Sequence, residues 1–61
     1  MLYENIVRRC KDKRMPISEL EKSAGLGNAT IQKWRTAIPK VDSLQRVAAI
    51  LGVTIDELLK E

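Results

Sequence analysis

Sixty-one residues are at most one domain, and a chain this short buries only ~60% of the surface it exposes when unfolded. Apolar residues make up 44% and charged residues 31%, a globular balance, but there is no His and only one Cys, which excludes an internal disulfide, a Cys/His zinc site and a Cys–His nucleophile pair. The net charge of +3 is unevenly spread: residues 1–40 hold nine Lys/Arg against four acids, and residues 41–61 hold two against four, so an anionic partner is expected on one part of the surface only.

The first expected helix covers residues 2–13, because Leu2, Ile6 and Cys10 recur at i, i+4 and i+8, the spacing of a single buried stripe. Cys10 on that stripe is expected to pack as a small hydrophobe, and the basic residues between 8 and 14 to form a solvated face. Pro16 disfavours helical geometry at Met15 and ends this helix. A short second helix follows. It starts either at a Ser18–Glu21 capping box or with Pro16 in its first turn, and Gly25 is its left-handed stop.

The third helix is expected to be capped by Gly27 or Asn28 and to run up to Pro39. At 100° per residue, Ile31, Trp34 and Ile38 share its inner side, while Ala29, Gln32, Lys33 and Thr36 share the outer one, with Asn28 at the rim. Trp34 is therefore expected in the core rather than as a stacking platform. Asp42, with Gln45 three residues later, announces a fourth helix that carries Leu44, Val47, Ala48 and Leu51 inward until Gly52. Thr54 and Glu57 make a capping box for the fifth, with Val53 stapled onto Leu58 and an apolar stripe of Ile55, Leu58 and Leu59.

The second and third helices are joined by too short a loop around Gly25 to lie antiparallel, so they cross steeply as a helix-turn-helix. In that arrangement the second helix of the pair enters the major groove by its N-terminal end. Its outer face suits base edges. Asn28 and Gln32 can bond bidentately to adenine, Lys33 can donate to guanine, and Ala29 or the Thr36 methyl can meet a thymine methyl. The competing readings are a helix cap for Asn28 and ordinary solvated side chains for the others.

Three stretches carry a family resemblance: ISELEKSAGLGNATIQKW (residues 17–34), VDSLQRVAAILGV (41–53) and TIDELL (54–59). Together they resemble the lambda-repressor-like, or phage repressor/Cro (XRE-type), helix-turn-helix domains, over almost the whole chain. The resemblance implies an all-α, compact five-helix bundle that binds double-stranded DNA, usually as a homodimer on a palindromic operator, in bacteria and their phages. It places base contacts at Asn28, Ala29, Gln32 and Lys33. Phosphate contacts fall at Ser18, Lys40 and Ser43, with Thr36 beside them. Arg35 joins this set because the Arg–Glu ion pair that many members form at the positions of Cys10 and Arg35 is absent here, which releases Arg35 to approach phosphate. Two further departures stand out. Ile17 lacks the amide that family members often place there, and Glu21 stands where a small residue is usual. The Glu21 stem is expected to cover the helix contact while its carboxylate reaches solvent.

A transcriptional repressor covering an operator is thus the expected function. The alternative is a protein-interaction module of the same fold, such as an antitoxin or a regulator antagonist. Val53, Ile55 and Leu59 are the candidate dimer contacts, with burial in the monomer core as the competing reading. No catalytic residue, metal, cofactor or small-molecule ligand is expected. The chain has neither an 18-residue apolar run nor a signal-peptide pattern, and its lone Cys fits a reducing cytoplasm.

Overall fold

A computed structural model describes residues 2–60, and over that range five helices follow one another: α1 (Leu2–Asp12), α2 (Ile17–Ser23), α3 (Thr30–Lys33), α4 (Val41–Leu51) and α5 (Ile55–Leu59). No strand occurs among the described residues. Helix α1 packs on α2 and α5, α4 packs on the same two, and α3 is held through α2. The core takes one or more residues from each helix: Ile6 and Cys10 from α1, Leu20 from α2, Ile31 from α3, Leu44, Val47 and Leu51 from α4, and Leu58 from α5. Burial raises the Cys10 thiol pKa, as for a side chain that packs rather than reacts.

The helices stop by a shared device. After α1 the Met15 N–H donates to the Cys10 carbonyl and the Arg14 N–H to that of Lys11, while Arg14 adopts a left-handed backbone (φ 55°). After α2, Leu26 donates to Glu21 and Gly25 to Lys22; after α4, Val53 donates to Ala48 and Gly52 to Ala49. These are Schellman closures, and Gly25 and Gly52 (both φ 72°) occupy the left-handed position that costs a glycine nothing. The first closure uses Arg14 instead, so α1 ends at Asp12 through its own hydrogen bonds, four residues ahead of Pro16.

The starts differ from expectation in three places. Pro16 is the N-cap of α2, with no side-chain cap, so Ser18 sits in the first turn and caps nothing. Lys40 precedes α4 in extended geometry, and Asp42 lies in the first turn, where its charge favours the helix dipole without capping it. Ala29, rather than Gly27 or Asn28, is the N-cap of α3. The α5 capping box is present as expected: the Glu57 N–H donates to Thr54 Oγ1 at 3.1 Å and the Thr54 N–H to Glu57 Oε1 at 3.0 Å. Val53 packs against the core that holds Leu58.

Helix α3 is also shorter than its periodicity predicts. Beyond Lys33 the chain continues in tighter turns, with Arg35 donating to Gln32 and Thr36 to Lys33, and then leaves the helical path. Trp34 stays inside, 8% exposed, but Ile38 is 96% exposed. The angular arithmetic that put Ile38 beside Ile31 and Trp34 fails because the helix has ended before it.

Candidate nucleic-acid interface

Helices α2 and α3 are joined by residues 24–29, and the segment after that loop is fixed by two side chains. Thr30 Oγ1 donates to the Gly27 carbonyl at 2.7 Å, closing the turn. Glu21, on α2, accepts from the Ala29 N–H at 3.3 Å through Oε1 and from the Ile31 N–H at 3.0 Å through Oε2. Its residue is only 5% exposed. The expectation that its carboxylate reaches solvent is therefore corrected. The Thr30 N–H donates to the Gly27 carbonyl, whereas the Ala29 and Ile31 amides take the Glu21 carboxylate, an anion that also matches the helix dipole.

The nine candidate DNA-contacting residues all belong to this part of the fold or to the start of α4. Asn28, Ala29, Gln32 and Lys33 are exposed, as are Ser18, Arg35, Thr36 and Lys40, while Ser43 is half-buried in the first turn of α4. Ala29, Gln32, Lys33, Arg35 and Thr36 line one concave surface of about 600 Å³. Ser18 and Asn28 share a second, of about 360 Å³, with Lys22. Lys40 and Ser43 stand apart at the N-terminal end of α4 and line neither concavity. Backbone N–H groups at such a helix end are themselves suited to an oxygen anion.

Three residues enter this region that periodicity did not place there. Glu4 of α1 lines the same concavity as Gln32 and Lys33, an acid at the edge of an otherwise neutral and basic surface. Tyr3 lies beneath Arg35, whose guanidinium carbon stands 5.7 Å from the ring centroid, within cation–π range. Arg35 is thus exposed but braced on an aromatic face. Glu21 is the third. Nothing local links residues 3 and 4 to residues 32–35, so only the packing of the chain brings them together. The resemblance did mark Glu21 as a departure, but its carboxylate was expected in solvent rather than on the amides of α3.

Beside α5, a second surface is apolar. Leu2, Trp34, Ile38, Val41, Ile55 and Leu59 line a groove of about 600 Å³, and Ile38, Val41 and Leu59 are well exposed. Of the candidate dimer residues, Ile55 and Leu59 line it, whereas Val53 is half-buried against the core and does not. Arg35 and Thr36 line both this groove and the polar concavity, so the two surfaces adjoin. Among the described residues, no helix is long and apolar enough to cross a membrane.

Comparison with curated proteins gives no match, and comparison with solved structures gives none. The family model of the Cro/C1-type HTH DNA-binding domain matches residues 5–60, a span that holds the helix-turn-helix, its flanking helices and the α5 capping box. That match and the five-helix architecture agree on a fold whose family function is DNA binding. The chain belongs to the Cro/C1-type helix-turn-helix DNA-binding domains.

Proposed function

We propose that this chain is one sequence-reading module of a bacterial or phage transcriptional repressor, which lays the segment from Ala29 to Thr36 in the major groove of duplex DNA. The observation that carries this reading is the gathering of Ala29, Gln32, Lys33, Arg35 and Thr36 on one exposed concave surface at the exit of the helix-turn-helix. Gln32 and Lys33 supply the hydrogen bonds that distinguish adenine and guanine edges, and the Ala29 methyl supplies an apolar contact. Asn28 extends the base contacts toward Ser18. Ser18, Arg35, Thr36, Lys40 and Ser43 take phosphates, which fix register without reading sequence.

A single module of this size buries only ~600–1,000 Å² on DNA, so operator selectivity calls for two copies on half-sites ~34 Å apart. The apolar groove suits the second copy. It contains Ile55 and Leu59, and it adjoins the reading surface. Glu4, Arg35 and Thr36 line both surfaces, so a self-complementary contact through the groove sets two reading surfaces close together. Val53 then serves the monomer core.

Selection from a random duplex library tests the whole reading, since the enriched site reports both the sequence and its half-site symmetry. A salt titration accompanies it. Contact with about four phosphates per subunit gives a log–log slope of roughly −3.6. Absence of binding at ~50 mM salt, where the counterion-release contribution is strong, refutes the reading in favour of a protein-binding module.

A further inference from the structure

Glu21 occupies two roles in the backbone at once. Its carbonyl accepts the Leu26 N–H at 2.8 Å and so closes α2, and its carboxylate accepts the Ala29 and Ile31 N–H groups and so opens α3. Between these points Ala29 is held at φ 63°, ψ 13°, a left-handed conformation for a residue with a Cβ. Such a conformation persists only where the surroundings over-determine it. The acceptor belongs to α2, not to the loop before α3. The first turn of the reading segment is therefore referenced to the preceding helix, across a residue that is itself buried.

We propose that Glu21 is the positioning residue of the reading segment: its carboxylate sets how Ala29, Gln32 and Lys33 are presented, so that selectivity between DNA sequences depends on it. The inference rests on the proposed base contacts. Glu21 touches no nucleotide in this account. It acts through the two amides, and a loss of its carboxylate leaves the same side chains on a segment whose first turn is free to re-orient. Phosphate contacts by Lys40 and Ser43, at the N-terminal end of α4, do not pass through it.

The test compares wild type with Glu21→Gln and Glu21→Ala, each at a temperature where circular dichroism shows it fully folded. Affinity is measured for the selected duplex and for random duplex, and amide exchange is followed by NMR. Glu21→Gln keeps the volume and one carbonyl oxygen but sets an NH₂ donor against an N–H. Its selected-to-random ratio is expected to fall about tenfold, the scale of one charge-assisted hydrogen bond. Its Ala29 and Ile31 amides are expected to exchange faster while those of α4 do not. Glu21→Ala is expected to lose more selectivity, with an unchanged salt slope, and if it does not fold, Glu21→Gln carries the measurement. A purely structural role lowers the melting temperature and leaves the ratio within twofold of wild type; that result overturns the proposal. Wild type without a preferred duplex overturns the base-contact reading and this inference with it. A wild-type preference that the Glu21 variants retain overturns this inference alone.

Discussion

Asn5 offers a demanding check on how the bundle holds its last helix. It is 5% exposed, and its amide nitrogen donates to the carbonyls of Glu57, Leu58 and Lys60, each at 2.9 Å. Its oxygen accepts from Arg8 at 3.1 Å and Arg9 at 3.0 Å. Two amide hydrogens thus serve three acceptors at the C-terminal end of α5, where the carbonyls have no partners within the helix. The bond to Leu58 is buried and those to Glu57 and Lys60 are partly so, so water can replace the latter two more cheaply. Leaving the Leu58 carbonyl unsatisfied costs ~1–3 kcal/mol, and each partly exposed bond adds ~0.5–1 kcal/mol.

Asn5→Leu, which keeps most of the volume and removes the donors, is therefore expected to cost roughly 2–5 kcal/mol. The total stability of a chain this size is about 3–9 kcal/mol. At ~4–8 °C per kcal/mol for a small domain, the melting temperature drops by roughly 8–40 °C in thermal unfolding followed by circular dichroism. Asn5→Asp is expected to do worse at neutral pH, because it turns a carboxylate oxygen toward three carbonyl oxygens while keeping the Arg8 and Arg9 contacts. An Asn5→Leu variant that melts within 2–3 °C of wild type, a loss of ~0.5 kcal/mol or less, refutes the claim that donation from Asn5 anchors α5.

Ile38 is so exposed that Ile38→Ser should leave monomer stability within ~0.5 kcal/mol. In an isologous dimer the loss counts twice at ~1.5–3 kcal/mol each, so sedimentation should show dimer affinity falling at least ~100-fold; an unchanged association constant removes the groove from the dimer. Gln32→Ala should relax preference at one base pair and cost ~1–3 kcal/mol on the selected site, whereas Lys40→Ala should weaken all duplexes alike and shrink the salt slope by ~1. Equal losses on selected and random DNA for Gln32→Ala would show that it reads nothing. Glu57 has its pKa held below the usual glutamate value, chiefly by the Thr54 backbone N–H and then by the Thr54 hydroxyl. The folded pKa is lower than the unfolded one, so its stabilisation is present above about pH 4.3 and is lost as pH falls through the folded value. Wild type and Glu57→Gln, which removes the titrating carboxylate, should differ in melting temperature at neutral pH and converge in acid; a constant gap contradicts the assignment.

Local pattern was enough for much of the architecture. The stops at Gly25 and Gly52 were legible because a left-handed position favours glycine, and the Thr54–Glu57 box because both halves of a reciprocal cap lie within one turn. The inward faces of α1 and α4 followed from helical spacing sustained over eleven residues each. Where a helix was short, spacing misled: α3 spans four residues, so Ile38 fell outside the geometry that predicted it. Ser18 and Asp42 matched capping patterns but cap nothing, since a side-chain cap depends on the backbone already entering the helix at that residue.

Five helices, their order, the core stripe and a polar outer face on α3 were readable along the chain, because those depend on residues within a few positions of one another. The fate of polar groups that leave solvent is set instead by how the helices pack. Glu21 was expected to reach water and instead caps a helix ten residues on, and Asn5 closes a helix more than fifty residues away. A buried donor or acceptor must find a partner wherever the fold brings one, and that partner has no fixed spacing in the chain. The same holds for the groove beside α5, which exists only because the chain leaves its helical path after Ala37 and carries Ile38 outward, beside Leu2 and Leu59.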